Sequence, residues 1–206
     1  MSRYEFVVSR EHMVQQTVFI HSPVMSVETE KKIKIVKEHI RSYPDFPKEG
    51  VLFRDIFSVL LKPDIFQTLR ELLVEFANKL KNVEDYQYIV GLDARGFLFG
   101  PLLALELNLP FIPIRKMGKL PGNTVKTSYK LEYGEATVEI QAGTITPGSK
   151  ALIVDDLLAT GGTLEAARQL VEKVGGKVVA CLVVIELEGL KGRTVVKAPT
   201  QSIITY

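Results

Sequence analysis

The chain has 206 residues, of which 46% are hydrophobic and 24% are charged, and its mean hydropathy is +0.13. This composition is typical of a globular protein with enough apolar residues for a core, and it excludes a disordered or fibrous chain. The net charge of +2 gives no basis for bulk attraction to nucleic acid or to a membrane. The single cysteine, Cys181, excludes an internal disulfide framework, and because it lies in an apolar run we expect it to be buried.

The first 25 residues do not have the pattern of an export signal, because charged side chains interrupt every apolar stretch. We expect residues 1–25 to form a poorly ordered extension. No linker or repeat interrupts the remaining chain, so residues 26–206 are predicted to form one domain.

Helical signals dominate the first part of this domain. Ser26 can cap a helix whose first turn is acidic, and Pro44 ends that region. A short extended piece is predicted at 51–57. A second helix is predicted to begin at Pro63, because apolar residues follow it at helical spacing.

The pattern then changes to short apolar strands that alternate with helices. Strands are predicted at 88–92, 111–114, 151–154 and 178–185, with helices at 97–107 and from 162 to about 174. Such alternation is typical of an α/β fold with a central, mainly parallel sheet. Between 116 and 141, glycine, proline, lysine and alternating residues predict a long flexible loop that returns through a hairpin, and loops of this length are usually functional.

The segment 151–163 carries the strongest chemical signal. Its strand is predicted to deliver Asp155 and Asp156 to the carboxyl edge of the sheet, where ligands bind in open α/β sheets. Small residues then leave backbone N–H groups uncovered at a helix N-terminus, which suits a phosphate; they are Ala159, Thr160, Gly161, Gly162 and Thr163. The loop lacks the lysine of a Walker loop, while the two carboxylates suit sugar hydroxyls. The predicted ligand is therefore a ribose phosphate.

This segment resembles the ribose-phosphate signature of the type I phosphoribosyltransferases. Further segments resemble the branch of that family that uses adenine; they are 46–56, 91–101, 115–121, 131–134 and 186–190. The resemblance covers about residues 27–206. It implies a type I phosphoribosyltransferase fold: a central, mainly parallel sheet flanked by helices, a small hood built from the N-terminal and C-terminal segments, and a long flexible loop.

The resemblance also implies a reaction. Ribose 5-phosphate would pass from 5-phosphoribosyl pyrophosphate (PRPP) to N9 of adenine, giving AMP and pyrophosphate in purine salvage. Mg²⁺ would be required and would be bound mainly through PRPP. The implied protein is a cytoplasmic homodimer, with no nucleic acid or membrane partner.

Roles for individual residues follow from the resemblance. Asp155 and Asp156 would face the ribose hydroxyls and stabilise an oxocarbenium-like transition state, since fixed negative charge favours a cationic sugar. Pyrophosphate would be bound at a turn that often contains a non-proline cis peptide in this family, and by the loop; the residues are Asp93, Ala94, Arg95, Arg115, Lys116 and Lys119. The implied catalytic residues are Glu132, Tyr133, Arg95 and Lys116.

The resemblance also implies specific roles for Glu132 and Tyr133 and a set of adenine-binding residues. Glu132 would accept the proton that adenine loses, and Tyr133 would pack over the site when the loop closes. The purine edge would be read by backbone groups near residues 51–54, and apolar side chains would form the walls. The implied adenine-binding residues are Leu52, Phe53, Arg54 and Leu187.

Three other functions remain open at this point: a PRPP-binding regulator without catalysis, an inactive relative that kept the motifs, and transfer to another base. The small net charge and the lack of an appended helix-turn-helix argue against a regulator that binds nucleic acid. Turnover with several bases separates the other two.

Overall fold

The computed structural model describes residues 25–130 and 135–206. The predicted disorder of the N-terminal extension and the predicted roles of Glu132 and Tyr133 lie outside the described residues. In the described part of the chain, no helix combines the length and the hydropathy that a membrane span needs.

Local sequence signals explain the first elements. These are α1 (Val27–His39), β1 (Arg41–Tyr43), β2 (Phe53–Asp55), α2 (Phe57–Leu60) and α3 (Pro63–Val83). The Ser26 hydroxyl accepts the Thr29 backbone N–H at 3.1 Å, so the predicted cap is confirmed. Pro63 occupies the first turn of α3, as predicted, because a proline there loses no helical hydrogen bond.

A seven-stranded sheet forms the centre of the molecule. Its elements are β3 (Tyr88–Leu92), α4 (Gly96–Leu107), β4 (Phe111–Lys116), β5 (Thr124–Lys130), β6 (Glu135–Gln141), β7 (Lys150–Leu158), α5 (Gly162–Lys173), β8 (Lys177–Glu186) and β9 (Thr200–Thr205). The strand order is β5-β6-β4-β3-β7-β8-β9. Strands β4, β3, β7, β8 and β9 are parallel, and β6 is antiparallel to β4 and β5. The predicted α/β fold with a mainly parallel sheet is confirmed.

Helices cover both faces of this sheet. Helices α1, α3 and α4 share one apolar cluster with the sheet, and α5 packs on the other face. Cys181 lies in β8 and is fully buried, as predicted. The first and last segments meet through Arg54, whose guanidinium lies 3.8 Å from the ring centroid of Tyr206. The two-stranded sheet β1-β2 therefore joins the C-terminus, in agreement with the expected hood.

Strand β7 is longer than the pattern predicted, and this difference shapes the site. The strand was predicted to end at Val154, but it continues to Leu158 because its outer half pairs with β8, from Asp155 opposite Val183 onwards. Its pairing with β3, by contrast, ends at Val154. The two aspartates therefore lie within a strand that has a neighbour on one side only, and the other side is open.

The segment after β4 also differs from the predicted long loop. The hairpin is confirmed, but most of the segment forms β5 and β6, which pair from Thr124 opposite Gln141 to Lys130 opposite Glu135. The turn before β5 is fixed by a buried carboxylate: Glu139 accepts the backbone N–H groups of Lys119 and Leu120, both at 2.9 Å.

Candidate active site

A cavity of about 350 Å³ opens at the carboxyl ends of β3 and β7. It is lined by the turn after β3 (93–95), the outer half of β7 (155–158), the loop that follows, the first turn of α5, and Tyr129 from β5. The cavity therefore brings together two of the segments that the sequence singled out. It lies where the strand topology leaves β7 without a neighbour on one side, the usual ligand position in open α/β sheets.

Two buried carboxylates form the floor of this cavity. The Asp156 backbone N–H donates to Asp155 Oδ1 at 2.8 Å, and Arg95 Nε donates to Asp156 Oδ2 at 2.5 Å. Burial and the neighbouring charge of Asp156 raise the pKa of the Asp155 carboxyl well above its usual range. Burial and the charge of Asp156 thus disfavour ionisation of Asp155, and a cationic ligand beside it would favour the ionised form.

The loop between β7 and α5 is shaped to bind an anion. Gly161 precedes the helix with φ +85°, in the left-handed region that glycine adopts without steric cost. The first N–H groups of α5 have no partner within the helix and point out of its N-terminus. Of the five predicted ribose-phosphate residues in this loop, all but Gly162 line the cavity.

A second pair of charges lies at the β3 turn. The Asp93–Ala94 peptide is cis, as the resemblance suggested. Arg115 Nε donates to Asp93 Oδ2 at 2.9 Å, and Arg115 Nη1 donates to the Lys119 carbonyl at 3.1 Å. Asp93, Ala94 and Arg95 line the cavity, whereas Arg115 reaches it only through Asp93.

Comparison with known proteins identifies the family of this chain. The family model described as phosphoribosyl transferase domain matches residues 58–203. The chain belongs to this phosphoribosyltransferase family. It is similar to adenine phosphoribosyltransferases, being 52% identical over 180 residues to that of Drosophila pseudoobscura (87% of this chain, 98% of the relative) and 52% identical over 167 residues to that of mouse (80% and 91%).

Solved structures agree with these relatives. Adenine phosphoribosyltransferase of Saccharomyces cerevisiae, in complex with D-2,5-dideoxy-2,5-imino-altritol 1,6-bisphosphate and adenine, is 41% identical with a TM-score of 0.82 (84% of this chain, 99% of that chain). The enzyme of Trypanosoma brucei, in complex with AMP, pyrophosphate and ribose-5-phosphate, is 28% identical with a TM-score of 0.75 (84% and 79%). The phosphoribosyltransferase fold predicted from the motifs is therefore confirmed.

Other predicted residues of this phosphoribosyltransferase lie outside the cavity lining. Lys116 and Lys119 are exposed. Phe53 packs edge-on against Phe46, with ring centroids 5.1 Å apart. Arg54 donates to the Ser42 hydroxyl at 2.5 Å and covers Tyr206.

Leu187, by contrast, lies beside the cavity. Its N–H donates to the carbonyl of Leu158, a lining residue, at 3.0 Å. Leu52 is 48% exposed beside β2. The structure thus brings one of the four predicted adenine-binding residues next to the cavity and leaves the other three in and beside the two-stranded sheet.

Sequence reasoning missed Gly192, whose backbone packs against the loop between β7 and α5 (159–161), named the phosphate loop below after its predicted ligand. A Cβ built on Gly192 would lie 2.2 Å from the Ala159 carbonyl oxygen and 3.0 Å from the Gly161 nitrogen. A Cβ built on Gly161 would lie 2.4 Å from the Gly192 carbonyl oxygen. The two backbones therefore touch directly, and any side chain at either position would displace the loop.

The residue after this glycine, Arg193, is anchored to buried side chains. Its Nε and Nη2 bind the two carboxylate oxygens of buried Glu186 at 2.6 and 2.5 Å, and Nη2 donates to the Ser202 hydroxyl at 2.8 Å. A bidentate pair of this kind fixes both position and orientation. Hydrophobic periodicity does not reveal the contact of Gly192 with the loop, because Gly192 and Ala159 are 33 positions apart in the sequence. The available signal was Glu186, an acidic residue at the end of an apolar strand.

Proposed function

We propose that this chain transfers ribose 5-phosphate from PRPP to N9 of adenine and releases AMP and pyrophosphate, as an enzyme of purine salvage. One observation carries the proposal: a buried carboxylate pair and a helix N-terminal loop face the same cavity. A ligand with a diol and a phosphate a few atoms apart satisfies both. The names of the relatives support adenine as the base.

The carboxylates act on the sugar. Asp155 and Asp156 accept hydrogen bonds from the ribose hydroxyls, and the phosphate loop holds the 5′-phosphate. When the bond from C1′ to pyrophosphate breaks, the ring becomes cationic before the bond from C1′ to N9 forms. Fixed negative charge in a water-poor site stabilises that cation.

Basic residues act on the leaving group. In the described part of the chain Arg95 uses only Nε for its hydrogen bond to Asp156, so its two terminal nitrogens remain available for pyrophosphate oxygens. Asp93 and Ala94 contribute the backbone of this turn. Arg115, Lys116 and Lys119 supply further positive charge from the next strand and turn.

The base loses one proton in the reaction. Glu132 is assigned the acceptance of the proton from adenine, and Tyr133 is retained as a further catalytic residue. Leu52, Phe53 and Leu187 form apolar walls, and backbone groups near Arg54 read the exocyclic amine. A 6-oxopurine would then leave a polar group unpaired, which disfavours hypoxanthine and guanine.

Mg²⁺ fits the donor set of this site. No group of three or more potential metal ligands occurs among residues 25–130 and 135–206. Mg²⁺ is commonly held by one or two carboxylates together with substrate phosphates, and Asp155 and Asp156 offer the former. The ion would neutralise charge on the leaving pyrophosphate. We further propose that the enzyme is a cytoplasmic homodimer, to be checked by fractionation and by light scattering.

A turnover assay tests the reaction. Protein, PRPP and Mg²⁺ are mixed separately with adenine, hypoxanthine, guanine and orotate, and nucleotide formation is followed. We expect AMP from adenine alone, and on the order of a hundredfold lower turnover in Asp156→Asn. Asp85→Asn is the matched control, because Asp85 precedes β3 and so lies at the opposite edge of the sheet. This variant should retain full activity. Protection by PRPP against thermal unfolding without consumption of any base would refute the enzyme and support a PRPP sensor.

A further inference from the structure

The phosphate loop has a polar neighbour that does not belong to it. Tyr129 lies in β5, on the hairpin that crosses α5, and it lines the cavity beside the loop. The Thr163 hydroxyl donates a hydrogen bond to the Tyr129 phenol oxygen at 3.3 Å. Near its other end α5 is tied to the same strand, because the Lys173 ammonium donates to the Lys126 carbonyl at 3.1 Å. The position of the phenol relative to Thr163 is therefore held by two separate contacts.

The number of protons on the two hydroxyls limits what this pair can do. A hydroxyl has one proton to donate and two lone pairs to accept with. A phosphate monoester offers acceptors almost exclusively, so Thr163 must give its single proton to the phosphate when the 5′-phosphate binds. The hydrogen bond from Thr163 to Tyr129 is then lost, unless the phenol donates in the opposite direction.

We propose that Tyr129 is a positioning residue for the 5′-phosphate and acts through Thr163. In the structure Thr163 donates to the phenol. With phosphate bound, the phenol donates to Thr163 Oγ1, and Thr163 donates to a phosphate oxygen. This reversal keeps both hydroxyls satisfied, and the chain of two hydrogen bonds polarises the Thr163 hydroxyl toward the anion. The inference rests on the proposed function, since it assumes that the loop binds the phosphate of PRPP and AMP.

Binding of AMP by calorimetry, without turnover, tests this role. We expect Tyr129→Phe to weaken AMP binding about fivefold to tenfold, the usual effect of losing a hydrogen bond in a chain that ends on a charge. Thr163→Val should weaken it by at least as much, and the double variant should bind like Thr163→Val alone. Thr163→Ser keeps the hydroxyl and should bind AMP nearly as the unchanged protein does.

Tyr88→Phe is the matched control. It removes a phenol that forms a similar 3.0 Å hydrogen bond with Thr146, at the amino end of β3 and away from the cavity. We expect unchanged AMP binding in this variant.

The outcomes separate the two proposals. Unchanged AMP binding in Tyr129→Phe would overturn the role of Tyr129 and leave the reaction intact. Tyr129→Phe could also weaken AMP binding equally in the unchanged protein and in Thr163→Val. That result would overturn the proposal, because Tyr129 would then act independently of Thr163. Failure of the unchanged protein to bind AMP would instead refute the proposed function.

Discussion

Replacing Gly192 by alanine places a methyl group between two backbones that touch. The new Cβ would lie 2.2 Å from the Ala159 carbonyl oxygen, whereas real Cβ contacts essentially never fall below 3.0 Å, so the loop must retreat by at least about 0.8 Å. A displacement near 1 Å in a binding loop can reduce catalysis on the order of a hundredfold. Overpacking of this kind costs about 1–3 kcal/mol of stability, so the variant should still fold.

Steady-state kinetics measures the consequence. We expect kcat/KM for PRPP to fall on the order of tenfold to a hundredfold, while KM for adenine changes little, because the displaced carbonyl belongs to the phosphate loop. Gly189→Ala is the control, since a Cβ there meets nothing within 4 Å. Arg193→Gln moves the same glycine by another route and should shift kcat/KM in the same direction. Unchanged PRPP kinetics in Gly192→Ala, despite a lowered melting temperature, would refute the argument that Gly192 positions the loop.

Two further predictions concern ionisation. Because the pKa of Asp155 is raised in the folded protein, folding retains a proton that the unfolded chain loses, and stability falls as pH rises from about 4 through that raised pKa. Asp155→Asn should therefore raise the melting temperature of the unliganded protein more at pH 8 than at pH 4, and it should abolish turnover. Equal increases in melting temperature at the two pH values would contradict the assigned direction of the pKa shift. Burial raises the pKa of the Cys181 thiol to about 12, so iodoacetamide should label one thiol after unfolding and none in the native protein; labelling of the native protein would show that β8 opens.

Local chemistry in the sequence determined the Ser26 helix cap, the strand-turn-helix units and the glycine-containing loop between β7 and α5. The start of α3 follows from Pro63, and β3 follows from an apolar run bounded by polar residues; both signals act over a few residues. The position of Asp155 and Asp156 at the carboxyl edge followed from the order of strands and helices, since that order implies a parallel sheet.

Contacts between distant segments decided the rest. Strand β7 continues through two aspartates because β8 pairs with them, and no local propensity predicts a strand there. The pairing of β5 with β6 likewise converts an expected loop into sheet.

The support of the phosphate loop is also tertiary. Gly192 lies against it in the fold, next to Arg193, which is bound to Glu186, and the raised pKa of Asp155 depends on burial that the fold creates. Sequence patterns report the periodicity of one segment at a time, whereas the shape and charge of this site arise where several segments meet.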